Sequence, residues 1–265
     1  MNSPSLSIRR VNVKRYIAPL REGGSLPAIA EADDGFLYVI KFKGAGQGPK
    51  ALIAEFIGGE IARTAGLHVP EIVFAALDPA FGRTEPDPEI QDLLKASTGL
   101  NLGLHFLKSA AMFDPVATRP DPLSASMIVW LDCFITNVDR TAKNTNLLWW
   151  NKEIWLIDHG ASLYFHHLWS DYMEKSAQPF ELVKDHVLLT YASELEKAQK
   201  IFLEKISPEK IKTIVNTLPD DWLLYDAPFR NAEDNRNAYA EYLIKRLENS
   251  DTFTQYAIHA RESII

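Results

Sequence analysis

Followed as a pattern of apolar and polar positions, the chain changes character near its middle. Residues 10–108 carry short apolar runs broken by turn-forming clusters, which predicts strands and one clear helix; residues from about 122 onward repeat with helical spacing. "RRVNVKRYIAPL" predicts a first strand, and "FLYVIKF" (36–42) a second on its β-branched and aromatic content. Between them "REGGSLPAIAEADDG" (21–35) is rich in glycine and small residues and predicts a loop or hairpin. "GAGQGPK" (44–50) predicts a flexible turn. A helix over 50–67 follows, with Leu52, Ile53, Phe56, Ile57, Ile61 and Leu67 mostly on one face and Gly66 as its stop. Strands over 71–77 and 100–107 flank an insertion with a short helix.

In the second half, proline-rich "DPVATRPDPL" (114–123) is expected to join two subdomains. "SASMIVWLDCFITN" (124–137) predicts a buried helix. "NLLWW" and "EIWLID" predict a hairpin with "NK" at its turn. Beyond about residue 168, "FELVKDHVLLTYA", "SELEKAQKIFLEKI", "SPEKIKTIVNTL" and "AEDNRNAYAEYLIKRLEN" all predict helices, with Ser207 as an N-cap before Pro208. The expected class is α+β, with a mixed β region over residues 1–108 and a larger helical region over 109–265.

Composition narrows the function classes. The 265 residues suit one large domain or two small lobes. A net charge of −7 argues against a general nucleic-acid binder. Cys133 is the only cysteine, so no internal disulfide and no cysteine-rich zinc site is available. Its setting, "IVWLDCFI", reads as a small buried hydrophobe. No apolar run approaches the roughly 18–20 residues of a membrane span, and the first residues have no apolar core of signal-peptide length. The expectation is a soluble cytoplasmic protein.

The candidate chemistry lies in "TNVDRTAKNTNLLWWNKEIWLIDHGASL" (136–163). Phosphoryl transfer needs a carboxylate to orient an acceptor hydroxyl, oxygen ligands for Mg²⁺ and a cation on the phosphates. The kinase template sets a catalytic Asp five residues before a metal-binding Asn, with a second Asp downstream before Gly. Asp139 and Asn144 have that spacing, and Asp158 follows the hairpin in "IDHG". In the first half Lys41 interrupts the apolar strand "YVIKF", and a lysine there needs a partner; Glu55 on the next helix is the natural one. "GGSLPAIAE" is a candidate loop over the phosphates, although it lacks the Gly-x-Gly-x-x-Gly pattern. Taken singly, each of these has an ordinary reading. Asp139 and Asn144 suit a loop, Lys41 a strand edge, Glu55 a solvated helix face, and Gly23 and Gly24 a turn. Their order, spacing and predicted context together favour the site. His159, His166 and His167 read as a polar loop, and Trp149, Trp150 and Trp155 as hairpin and core packing.

"NVDRTAKNTNLL" followed by "LIDHG" resembles the catalytic core of HipA-like kinases, relatives of the phosphoinositide 3/4-kinases. "GGSLPAIAEADDGFLYVIKF" and "AEFIGGEIARTAGLHVPE" resemble that family's phosphate loop, lysine strand and helix, so the resemblance covers roughly residues 20–165. It implies a bilobal protein-kinase-like fold with ATP and Mg²⁺ as cofactors, and the chain looks closer to short stand-alone HipA-like domains than to the longer toxins of the family. It implies Asp139 as catalytic base, Asn144 and Asp158 on Mg²⁺, and Lys41 on the phosphates, with Arg140 or Lys143 neutralising transferring charge. Phe106, Leu107 and Lys108 would form the hinge to adenine, and Ser25 matches a loop serine that some members autophosphorylate. The expected acceptor is a protein serine or threonine; a regulatory partner protein is left open, and no nucleic acid or membrane is expected. The competing readings are a lipid or small-molecule kinase, a nucleotide-binding pseudokinase, and nucleotidyl transfer onto protein.

Overall fold

A computed structural model describes residues 6–20, 26–46, 48–84, 86–225 and 228–265. The first half builds β1 (Arg10–Pro19), β2 (Ala28–Ala32), β3 (Leu37–Lys41), α1 (Pro49–Ala65), β4 (Ile72–Leu77), α2 (Pro88–Ala96) and β5 (Gly99–His105). Next come β6 (Ala111–Met112), α3 (Pro122–Ile135), β7 (Leu147–Trp150) and β8 (Glu153–Leu156). The remainder is α4 (Tyr172–Lys175), α5 (Leu195–Lys205), α6 (Pro208–Asn216), α7 (Asp220–Leu223), α8 (Ala232–Glu248) and α9 (Ser250–Glu262). No described helix is long and apolar enough to cross a membrane.

The first five strands close into a barrel in the order β1-β2-β3-β5-β4. Closure comes from a parallel pairing of β1 with β4, Arg10 opposite Phe74 and Val11 opposite Ala75. Period-two alternation sends Ala28, Ala30 and Ala32 of β2 and Tyr38 and Ile40 of β3 into the barrel, where all are buried. So small an interior tolerates mainly alanines beside a few large side chains. The same alternation turns Val39 and Lys41 outward, towards a cleft. The loop or hairpin expected over 21–35 thus contains a full strand in its second half. Alanines carry little strand signal, which is why β2 is faint in the sequence.

The second, larger core gathers around α3, which is apolar on nearly all sides and accordingly buried. Trp130 stacks on Phe202 at 4.3 Å, and its indole N–H donates to Thr254 Oγ1 at 2.9 Å. Helix α1 belongs to this core through Leu52, Phe56 and Ile57, while Phe56 also stacks on Phe74 of the barrel at 5.5 Å. Gly66 ends α1 at φ +91°, and Ser207 caps α6 by accepting from the Lys210 N–H. Cys133 is buried as expected, and burial pushes its thiol up.

Two stretches depart from expectation. Just before the joining segment, residues 111–112 form an unexpected strand, β6, which pairs with β7 and so ties the chain after β5 to the hairpin. "FELVKDHVLLTYA" forms 3₁₀ turns at Glu181–Asp185 and Leu189–Tyr191 rather than an α-helix. Between them His186 is extended, because the chain there pairs with Thr141 and the Val187 amide donates to the Arg140 carbonyl at 3.1 Å. Tertiary pairing overrides the helical pattern.

Arg246 of α8 fastens this core. Fully buried, it donates to the Phe134 and Cys133 carbonyls at the end of α3, at 2.8 and 2.6 Å, and to those of Ser176 and Gln178 at 3.1 and 3.0 Å. A helix C-terminus is a favourable place for a cation. Arg246→Leu should lower unfolding free energy by about 3 kcal/mol, because four carbonyls, three of them buried, lose a charged donor. Urea denaturation at unchanged slope measures it; a loss below about 1 kcal/mol would contradict this role.

Candidate active site

The site is assembled from four elements. β3 delivers Lys41, whose Nζ donates to Glu55 Oε2 of α1 at 2.7 Å and to Asp158 Oδ1 at 2.6 Å. Glu55 is fully buried, whereas 45% of the Asp158 side chain is exposed. Asp158 follows β8 at φ +56°, a left-handed turn that bends the chain at this point. Burial by itself would raise the Glu55 carboxyl, but the Lys41 ammonium overturns this and holds it at about 2. Burial would likewise lower the Lys41 ammonium, and the charges of Asp158 and Glu55 raise it instead.

Asp139 sits on the loop after α3. That helix ends on Thr136 at φ +56°, and the Asp139 amide donates to Asn137 Oδ1 at 3.1 Å. Asp139 Oδ2 accepts from the side-chain amides of Asn144, at 2.7 Å, and Asn146, at 3.2 Å. Asn151 and Lys152 form the hairpin turn with positive φ at both positions, the type I′ geometry that suits a two-residue turn. The hairpin brings its two ends together: the Ile157 amide donates to the Asn146 carbonyl at 3.1 Å. Lys41, Asp139, Asn144, Asn146 and Asp158 all line one cleft of about 670 Å³, with Val39, Leu104, Leu148 and Ile157 as apolar walls.

Several expected residues stand elsewhere. Arg140 is 1% exposed and donates from Nε to Asp132 Oδ2 at 2.5 Å, away from the cleft. It is a structural cation rather than a phosphate clamp. Lys143 is exposed and Lys108 lies outside the cleft lining, although the Lys108 carbonyl accepts from Trp150 Nε1 at 3.1 Å. Phe106 and Leu107 do line the cleft. Gly23, Gly24 and Ser25 lie outside the described residues.

Of the histidines of "DHGASLYFHH", His159 and His166 are fully buried rather than part of a polar loop, whereas His167 is exposed. His159 Nδ1 is 3.7 Å from Glu55 Oε1, too long for a hydrogen bond. A Cβ on Gly58 would come within 2.8 Å of the His159 Cβ, so α1 can lie against His159 only with glycine there. Asn146 and Asp132 were also missed. The sequence signal for Asp132 was a single carboxylate inside the apolar run "IVWLDCFI".

A lysine shared by a helix glutamate and a post-hairpin aspartate, facing an Asp–Asn pair across a cleft, is the polar arrangement of a phosphotransferase. The family model for HipA-like kinases matches residues 13–256. The chain belongs to the HipA-like kinase family. The match extends well past the stretch over which the resemblance was legible. Among solved structures, this HipA-like kinase is similar to a Helicobacter pylori proinflammatory kinase, CtkA, at a TM-score of 0.55 and 13% identity, over 99% of this chain and 100% of that one. At that identity the likeness shows a kinase-like fold and no more. A MAP kinase from Leishmania major matches at a TM-score of 0.25 and 13% identity, over 97% of this chain and 84% of that one, a value that carries no weight. No curated protein matches.

The Glu55 carboxyl gives a pH prediction. Its folded pKa, about 2, lies below the ordinary value of 4.5, so its contribution is complete above about pH 4.5 and is lost as pH falls towards 2. The stability difference between the wild-type kinase and Glu55→Gln should therefore shrink between pH 5 and pH 3, measured by urea denaturation at each pH. A difference independent of pH over that range would contradict a charged Glu55.

Proposed function

We propose that this HipA-like kinase transfers the γ-phosphoryl group of ATP, with Mg²⁺, to a serine or threonine hydroxyl on a protein. The observation that carries the reading is the convergence of Lys41, Asp139, Asn144 and Asp158 on one cleft. In this reading the barrel and the helical part are the two lobes, residues 1–108 and 109–265, with nucleotide between them. The lone buried cysteine and the absence of a spanning helix among the described residues fit a cytoplasmic setting.

The residues fit Mg²⁺. Asn144 lines the cleft and gives its Nδ2 to Asp139, and among the described residues its amide oxygen has no hydrogen-bond partner. Asp158 uses Oδ1 on Lys41 and keeps Oδ2. Both are hard oxygen donors, and Mg²⁺ takes one or two such groups together with phosphate oxygens. Among the described residues no cluster of three or more His, Cys, Asp or Glu could hold a metal alone. Around the cleft Glu55, Asp139 and Asp158 set three carboxylates against the Lys41 ammonium, an excess suited to a cation. When bound, Mg²⁺ would neutralise charge on the β- and γ-phosphates.

Leu107, whose amide has no partner among the described residues, offers a donor to the adenine edge, and Leu148 and Ile157 offer apolar contact to the base. Lys41 would hold phosphate oxygens. Asp139 would orient the acceptor hydroxyl and take its proton as the new O–P bond forms and the bond from Pγ to the bridging oxygen breaks. This chemistry is the same for any alcohol, so the family likeness is what favours a protein acceptor.

Incubation with γ-labelled ATP, Mg²⁺ and protein acceptors tests the assignment. Wild type should label serine or threonine, and Asp139→Asn and Asp158→Asn should each lose at least about 100-fold in rate while remaining folded. Wild-type rates in either variant would contradict it. Label arriving from the α-phosphate would replace it with nucleotidyl transfer, and label confined to lipids or small alcohols would replace the acceptor class.

A further inference from the structure

Asp132 is a charged residue in the last turn of the most apolar helix, and it is completely buried. Such a carboxylate persists only with its oxygens satisfied. Its Oδ1 accepts from Asn137 Nδ2 at 3.0 Å, and its Oδ2 from Arg140 Nε at 2.5 Å and His186 Nε2 at 2.9 Å. The Leu188 amide donates to His186 Nδ1 at 3.0 Å, which assigns the ring proton to Nε2, on Asp132. Two of the arms, Asn137 and Arg140, lead to the reacting groups. Asn137 Oδ1 accepts the Asp139 amide at 3.1 Å. Arg140 Nη1 donates to the Asn146 carbonyl and, at 3.4 Å, to that of Ile157, the residue before Asp158. Asn146 Nδ2 closes the circuit on Asp139 Oδ2 at 3.2 Å.

We infer that Asp132, through Asn137 and Arg140, is the positioning centre that sets Asp139 and Asp158 at their working separation and keeps the Arg140 cation off Asp139. The inference rests on the kinase reading above. Arg140 is the neighbour of Asp139 in sequence, and its planar fork would pair readily with that carboxylate. Asp132 takes the fork instead. Asp139 makes three hydrogen bonds through neutral N–H groups, two accepted by its carboxylate and one donated by its own amide to Asn137, and among the described residues no cation bonds to it. A carboxylate so held stays oriented without being spent in an ion pair, which is what a hydroxyl-orienting base requires. His186 braces the centre from the segment after α4, beside the Val187 amide bond to the Arg140 carbonyl.

Three variants separate this role from bulk stability, because Asp132 variants themselves can fail to fold. Asn137→Ala removes the arm to Asp139, and Asn137→Ser restores an acceptor for an amide two residues on. Arg140→Lys keeps the charge but loses the fork that spans Asp132 and two carbonyls. Rates per folded molecule should fall about 10- to 100-fold in kcat for Asn137→Ala and Arg140→Lys, with KM for ATP within about threefold of wild type, as expected for misplacement by a fraction of an ångström to an ångström. Asn137→Ser should recover most of the loss. Unchanged kcat per folded molecule, or a loss that Asn137→Ser does not recover, overturns the inference. Asp139→Asn run in parallel distinguishes the two claims: if it retains activity, the kinase mechanism itself fails.

Discussion

An ammonium group held against the protein interior keeps its charge only when carboxylates face it, and Lys41 has two at hydrogen-bond distance. Those two come from parts of the chain that share no local structure. Glu55 is carried by α1, and Asp158 follows a hairpin more than a hundred residues later. For both to meet one Nζ, the barrel, α1 and the hairpin must be fixed relative to one another. Much of the remaining architecture does that fixing.

Helix α1 is the first device. It packs against Phe74 of the barrel and shares the larger core with α3 and the helices after it. At its end the Ala65 carbonyl accepts from Lys205 Nζ of α5 at 2.7 Å. The chain after α1 then joins the hairpin directly, because the Leu156 amide donates to the His68 carbonyl at 2.8 Å. The second device is the segment after β5. It continues into β6, and the Phe113 amide reaches the Leu147 carbonyl at 2.9 Å, so the chain leaving β5 and the strand that follows Asn144 share one sheet. A third link runs from Trp222 of α7 to the Leu100 carbonyl of β5 at 3.0 Å. Buried, mutually braced elements of this kind open only at a cost near that of global unfolding.

Much of this was legible in the sequence because the signals were local. Strand β3, helix α1 with its Gly66 stop, the hairpin with Asn151 and Lys152 at its turn, and the Ser207 cap each follow from backbone preferences of a few residues. The pairing of Lys41 with Glu55 followed from the cost of a lysine in an apolar strand. What could not be read was long-range. Parallel closure of β1 on β4 leaves no mark in either strand's alternation, and the alanines of β2 hide a strand. Arg140 looked like a free cation beside Asp139, and only the fold reveals that Asp132 of the preceding helix claims it. His159 and His166 read as polar because histidine is polar, whereas packing under α1 and beside Tyr239 encloses them. The extended stretch at His186 interrupts a helical pattern for the sake of one tertiary bridge.

The central claim is that the Lys41 junction and the Asp139–Asn144 pair serve one metal–nucleotide site. Calorimetric titration of a non-hydrolysable ATP analogue, with and without Mg²⁺, into wild type and Lys41→Met tests this most directly. Binding that requires Mg²⁺ and weakens at least about tenfold in Lys41→Met is the predicted result. Equal binding by both proteins, or binding indifferent to Mg²⁺, would contradict it.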